Sequence, residues 1–318
     1  MAEFNFHTDA RTVVERWGER IKGKTVVITG TSEGGLGATT AVALAHAQPS
    51  KIFLLARTEG KVSNVVNKIA EISPSAQPTF ISIELDEFDS VRRAAATILT
   101  LTERIDVLIN NAGVMAIPWE KSKYGIEKTL AINHLGHFLL TKRLMPALIA
   151  AGPGSRVINL TSAGYKMGPF RFDDWNFSDG REYNPFASYA QSKTANILFT
   201  VALAKRAKDH GVLAFAVHPG FIPDTSITAH MASVDADEMN RVSLENTDCN
   251  FAPDEPKSQQ QGAATSVVAA LSPDIAHHSG AYLSDCQIEE VRGYAKDSRL
   301  AGKLWEISER LVKETFGI

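Results

Sequence analysis

Short apolar runs alternate with longer amphipathic stretches along most of the chain. The first run, Thr25-Val26-Val27-Ile28-Thr29, is rich in β-branched residues and ends at a glycine, the mark of a buried strand. Runs at Lys51 to Ala56, Thr79 to Leu85, Ile105 to Asn110, Arg156 to Leu160, Leu213 to Val217 and Ala281 to Ser284 predict further strands. Between them, Leu36 to Ala47, Val62 to Ile72 and Val91 to Leu101 space apolar residues three and four apart, as a helix with one buried face requires. Strand, helix, strand in repetition predicts an α/β fold: a doubly wound, mostly parallel seven-stranded sheet with helices on both faces. Ligands of such sheets bind beyond the carboxyl ends of the strands, so residues just after each strand are the ones to read for chemistry.

Two segments break the rhythm. Tyr165 to Pro185 mixes aromatics with charge, and Phe221 to Gln261 is long, polar and proline-punctuated; both read as loop insertions of the kind that form substrate lids. Residues 1 to 22 carry Val13, Val14, Trp17 and Ile21 at helical spacing and predict an amphipathic helical extension packed on the domain. Leu300 to Val312 has a similar pattern. With 318 residues, 44% hydrophobic and 22% charged, one large domain over 1–318 accommodates all of this.

Charge and cysteine narrow the function classes. Lys and Arg number 33 against 36 Asp and Glu, a net charge of -3 without the basic excess that attracts nucleic acid. Cys249 and Cys286 are too few for a disulfide framework and lack the spacing of a zinc site, which fits a reducing compartment. No run approaches the ~20 apolar residues that span a bilayer, and the first residues lack a basic and then apolar leader, so a cytosolic location is expected. No metal is expected either: His134 and His137 are three apart without a carboxylate at matching spacing, and read as a packed or exposed pair.

Chemistry gathers after the strands. Thr29-Gly30-Thr31-Ser32-Glu33-Gly34-Gly35-Leu36-Gly37 follows the first strand and opens a helix, where glycines let backbone approach a pyrophosphate held by the helix N-terminus. The same glycines would also serve an ordinary helix-entry turn. After the second strand stands Arg57, able to pair with a ribose 2'-phosphate where an acidic residue would take a free hydroxyl. This favours NADP over NAD, although Glu33 in the nearby turn would oppose a phosphate. Asp86 suits an adenine amine or a helix N-cap, and Asn111-Ala112-Gly113 closes the fourth strand with small residues. Asn133 falls mid-helix, where asparagine is unfavourable unless its amide has a specific partner.

Tyr189 and Lys193, four apart, project from one helix face; an ammonium near a phenol lowers its pKa from ~10 toward neutrality, as acid–base work on an alcohol or ketone requires. Tyr124 and Lys128 share that spacing. Only Tyr189 lies downstream of Thr161-Ser162 at a strand end, so Tyr124 and Lys128 are expected at the surface or in packing.

Taken in order, the glycine turn, Asp86, Asn110-Asn111-Ala112-Gly113, Asn133, Ser162, Tyr189-Ala190-Gln191-Ser192-Lys193 and Pro219-Gly220 resemble the short-chain dehydrogenase/reductase family. Phe172-Asp173-Asp174-Trp175-Asn176, Tyr189 through Phe199 and Gln261 through Thr265 look like its retinol-dehydrogenase-like and WW-domain-oxidoreductase-like members, fungal ones in particular. The resemblance implies a Rossmann-type fold binding NADP(H) through Gly30, Thr31, Ser32, Gly35, Leu36, Gly37, Arg57, Leu85, Asp86, Asn111, Ala112, Gly113, Tyr189, Lys193, Pro219, Gly220, Ile222 and Thr225. It implies Tyr189 as proton donor to a carbonyl, Lys193 holding the nicotinamide ribose and lowering the phenol's pKa, Ser162 binding the substrate oxygen, and Asn133 anchoring a proton-relaying water.

Three features depart from the family pattern. The glycine turn is one residue longer, so Gly34 or Gly35 fills the middle position; Ser162 and Tyr189 stand 27 positions apart; and Thr225 comes one place late, with Asp224 in its stead. The function these features imply is an NADP(H)-dependent oxidoreductase interconverting a ketone and a secondary alcohol on a small, largely apolar molecule, acting as a reductase in secondary metabolism. The alternatives are an isomerase, cyclase or epimerase on the same scaffold, or a non-catalytic NADP sensor. The expected partner is a small-molecule substrate, and a homodimer is an assembly the chain allows.

Overall fold

The computed structural model describes residues 3–225, 227 and 235–318. Its strands are β1 (Thr25–Thr29), β2 (Lys51–Ala56), β3 (Gln77–Ser82), β4 (Val107–Asn110), β5 (Arg156–Leu160), β6 (Leu213–Val217), β7 (Tyr282–Ser284) and β8 (Gln287–Glu289), joined in the order β3-β2-β1-β4-β5-β6-β7-β8. All neighbours are parallel except β7 and β8. The chain leaves β1 for β2 on one side and returns to β4 on the other, so the crevice opens beyond the ends of β1 and β4.

Alternate residues of the central strands feed two cores. Val27, Leu108 and Val157 point to one face, covered by α4 (Phe88–Leu101), α6 (Gly136–Ala150), α7 (Pro185–Arg206) and α11 (Ser298–Val312). Val26, Ile28, Ile109 and Ile158 point to the other, covered by α1 (Ala10–Trp17), α2 (Leu36–Ala45), α3 (Ser63–Ile72) and α9 (Gln259–Leu271). Each such side chain, fully buried, contributes about 1.5–3 kcal/mol. Short helices α5 (Lys128–Leu130) and α10 (Gly293–Lys296) and a polar helix α8 (Ala236–Thr247) complete the set.

Four expectations change. The sheet has eight strands instead of seven, because the chain reverses after β7 through Asp285 and Cys286, both left-handed at φ 49° and 64°. The segment Phe221 to Gln261, read as an unordered lid, contains α8: the Asp235 carboxylate accepts the Glu238 amide at 2.9 Å, Asp248 ends the helix at φ 55°, and Met239 and Val242 are buried. Positions 226 and 228–234 of that segment lie outside the described residues. The N-terminal helix is confined to Ala10–Trp17, with a 3-10 turn following, and β3 starts and stops earlier than expected, which frees Ile83 and Leu85 to line the crevice.

Between α5 and α6 the helix widens into a π-helical turn, Ala131–Leu135. It is pressed onto the end of the β3 segment at Gly136, where an added Cβ would stand 2.4 Å from the Leu85 carbonyl oxygen. Gly136→Val is therefore expected to destabilise the fold by about 1–3 kcal/mol or more, read as a lowered Tm, since neither backbone can give way. An unchanged Tm would contradict this packing.

Candidate active site

The crevice, of about 460 Å³, runs along the carboxyl ends of β1, β2, β4, β5 and β6. Gly30 turns the chain out of β1 at φ 73°, its amide donating to the Leu55 carbonyl at 2.8 Å. A Cβ there would lie 2.7 Å from Ala112 Cα, and one at Gly37 would lie 2.5 Å from the Gly30 carbonyl oxygen. These two glycines pack turn, strand end and helix together. Gly35, the N-cap of α2, lines the crevice, whereas Gly34 sits at the outer tip at φ 75° with open space around it. Of the two glycines whose role the sequence left open, Gly35 is the one on the crevice wall.

A dinucleotide fits this cradle on structural grounds. The first turn of α2 has no side-chain cap, leaving backbone N–H groups beside Gly30, Ser32, Gly35 and Leu36 for a pyrophosphate. Arg57 lines the crevice next along, exposed, and among the described residues its guanidinium has no carboxylate partner. Glu33 is off the wall: its carboxylate accepts from Asn64 Nδ2 at 2.8 Å. Leu85, Asp86, Asn111, Ala112, Gly113, Pro219, Gly220, Ile222 and Thr225 all line the cavity. Thr31 and Gly37 do not; Thr31 is buried with its hydroxyl donating to the Leu55 carbonyl. Asp86 does not cap α4, whose N-cap is Glu87, and stands 3.9 Å from Lys128 Nζ. Lys128, expected at the surface or in packing, also lines the crevice, while Tyr124 stacks on Phe88.

At the other end, Ser162 caps the turn after β5 by accepting the Gly164 amide at 3.0 Å, with its hydroxyl near enough to the Tyr189 phenol to favour the ionised form. An added Cβ on Gly164 would meet the Tyr189 ring at 2.9 Å, so only glycine lets that ring lie there. Lys193 Nζ donates to the Leu160 carbonyl at 3.1 Å and stands 5.5 Å from the Tyr189 ring centre. The helix places both side chains together, but burial sets their titration. It pushes the Tyr189 phenol up to about 12, against the Ser162 hydroxyl, and pushes Lys193 down to about 8. The expected drop of the phenol toward neutrality is therefore corrected: desolvation sets the direction at both groups.

Asn133 is buried in the π-helical turn and is not on the crevice wall. Its Oδ1 accepts the Val114 amide at 2.8 Å, and its Nδ2 donates to the Val114 carbonyl and to Ser192 Oγ. Its backbone carbonyl accepts from His137 Nδ1 at 3.1 Å, and the Thr29 hydroxyl donates to His137 Nε2 at 2.8 Å while accepting the Asn111 and Ala112 amides. Burial lowers the His137 pKa to about 4, so the ring is neutral and this network locks β1, β4 and the π-helical turn together. His134, also buried, bonds Ser308 Oγ. The two histidines are thus structural.

Sequence reasoning passed over His218, Asp254 and an apolar wall formed by Met115, Ile227, Met239, Phe251 and Pro253, all lining the crevice. His218 was findable, since it directly follows β6; most of the apolar wall comes from α8 and the chain around it, which had no local signal, while Met115 stands just past β4.

A glycine-turned, doubly wound sheet with this crevice defines a Rossmann-type nucleotide-binding protein. The family profile for short chain dehydrogenases matches residues 24–175. Retinol dehydrogenase 12 of Mus musculus is 35% identical over 293 residues, covering 92% of this chain and 87% of its own. Retinol dehydrogenase 14 of Homo sapiens is 37% identical over 303 residues, covering 91% and 86%. Among solved structures, an uncharacterized protein of Mycobacterium paratuberculosis superposes with a TM-score of 0.71 at 29% identity, covering 94% of this chain and 96% of that one. The chain belongs to the short-chain dehydrogenase/reductase family. It is an oxidoreductase of alcohols and ketones whose fold binds a nicotinamide cofactor.

The cytosolic location is corrected on the same finding. The relatives are retinol dehydrogenases, a membrane-associated group, and the absence of a helix long and apolar enough to cross a membrane among the described residues does not establish a cytosolic one.

Proposed function

We propose that the chain is an NADP(H)-dependent reductase of ketones, reversible with secondary alcohols, acting on a small and largely apolar molecule. The observation that carries this reading is the meeting of Ser162, Tyr189 and Lys193 at the edge of the apolar wall, on the crevice shared with the glycine turn. When bound, the reduced nicotinamide supplies hydride to the carbonyl carbon. Tyr189, held protonated by burial, donates its proton to the carbonyl oxygen as charge develops there. The Ser162 hydroxyl steadies that oxygen, and Lys193 supplies the positive charge beside the resulting phenolate. Asn133 acts from behind the wall by fixing Val114 and Ser192.

Arg57, just past β2, has no carboxylate partner among the described residues, and with Glu33 drawn aside it supports NADP over NAD. The motifs shared with fungal-type and WW-domain-oxidoreductase-like members support a ketone of secondary metabolism, and the names of the relatives place retinal in the panel to be tried. The test is loss of NADPH or NADH absorbance with a panel of ketones and retinal, with product mass measured. A product two hydrogens heavier, formed faster with NADPH, is expected. No carbonyl consumed with either cofactor would sink the reading.

Lys193 also yields a stability prediction. It titrates near 8 in the fold and near 10.5 in the ordinary chain, so the unfolded state binds more protons between those values and stability rises with pH across them. Lys193→Met should therefore stabilise the fold by on the order of 1–3 kcal/mol at pH 7 while abolishing turnover. The gain should fade toward pH 10.5, read as Tm at several pH values. A Tm at pH 7 no higher than the native protein's would contradict it.

A further inference from the structure

At the end of β6 stands a buried side chain that the proton-transfer set does not use. His218 is 5% exposed and lines the crevice. Its Nδ1 accepts the Ala163 amide at 3.1 Å and lies 3.4 Å from the Gly220 amide, which also donates to it. With two N–H groups aimed at it, Nδ1 carries no proton, so the ring hydrogen is on Nε2. Nε2 donates to Asp254 Oδ2 at 2.7 Å. That hydrogen bond holds the Asp254 carboxyl below its usual range despite its partial desolvation, with Lys166 and Lys257 assisting, and keeps it an acceptor at neutral pH.

Three parts of the crevice meet on this one imidazole. Ala163 follows Ser162 and belongs to the turn whose Gly164 accommodates the Tyr189 ring. Gly220 belongs to the Pro219-Gly220 turn that would cover the nicotinamide. Asp254 follows Phe251 and Pro253, which form part of the apolar wall. A core histidine needing only satisfaction could take any buried partners. Here every partner lies on the reacting side of the crevice.

We propose that His218 and Asp254 are positioning residues for the carbonyl chemistry. His218 fixes the Ser162–Gly164 turn against the Pro219-Gly220 turn, and Asp254 ties both to the substrate wall. Neither residue is asked to touch the reacting atoms. The proposal rests on the reading of Ser162 and Tyr189 as the proton-transfer pair.

Two substitutions separate the two ends of the ring. In His218→Asn the amide oxygen reaches the place of Nδ1 and keeps an acceptor for Ala163 and Gly220, but loses Asp254. In His218→Gln the longer amide reaches toward Asp254 and leaves the two amides without an acceptor. The full chain is compared with both variants, and with Asp254→Ala and Asp254→Asn, by amide hydrogen exchange at Ala163 and Gly220, NADPH affinity, and kcat and KM for a ketone.

His218→Gln should speed exchange at both amides and lower kcat by about tenfold or more, as loss of a buried hydrogen bond near the reacting groups does, with NADPH affinity kept. His218→Asn should keep protection and kcat, and should share with Asp254→Ala a raised KM that Asp254→Asn restores. Native exchange at Ala163 in His218→Gln, or equal losses in His218→Asn and His218→Gln, would overturn the proposal. The exchange measurement needs no turnover, so it decides this point even where failure of the native chain to reduce any carbonyl has overturned the functional reading.

Discussion

Tyr189→Phe is expected to lower kcat for carbonyl reduction by about 10²–10⁴-fold, the range for loss of a positioned general acid. NADPH affinity should be unchanged. Tyr189 is 5% exposed, and its phenol lies beside the Ser162 hydroxyl and is held protonated by burial, so the substitution removes one proton donor and leaves the ring packed against Gly164. Single-turnover oxidation of bound NADPH, with a fluorescence titration of the cofactor alongside, separates chemistry from binding. Native turnover in the variant would remove Tyr189 from the mechanism.

Arg57→Glu should weaken NADPH binding by about 10- to 100-fold while NADH binding is retained or improved, since a hydrogen bond to a charged group contributes about 1.5–3 kcal/mol. The reason lies in the surroundings of Arg57. It is exposed on the crevice wall beside the glycine turn, and Glu33, the acidic group best placed by sequence to repel a phosphate, is held by Asn64. Because the arginine is exposed, the NADPH preference of the native chain should also shrink as salt rises. Calorimetric titration of both cofactors at two ionic strengths reads the effect. A variant that still prefers NADPH would show that the 2'-phosphate is held elsewhere.

Legibility in the sequence followed burial. Strands β1, β2, β5 and β6 agree in both bounds with the apolar runs, because a parallel strand covered on both faces has an apolar interior that stands out from the turns on either side, even where Thr25, Lys51 or Arg156 begins it. The β7–β8 reversal was hidden because Asp285 and Cys286 take the left-handed backbone that Asn-Gly usually announces. Helix α8 was hidden by its polar composition, although Asp235 with Glu238 three residues on was a readable start signal. Asn133 could be singled out as an amide needing partners, but only the fold shows them to be Val114 and Ser192. The pairing of Tyr189 with Lys193 was plain from spacing. The direction of the phenol's titration was not, because desolvation is a property of the assembled interior.

The borders of the sheet carry one more consequence. On one side β3 places Pro78, which offers no N–H, in the outermost row; on the other, β8 is three residues long and ends beside charged Glu289 and Glu290. Neither rim presents a long ladder of free backbone groups to another molecule. Growth of the sheet by strand addition from a second chain is accordingly discouraged, whether as orderly pairing or as a route to fibrous clumping.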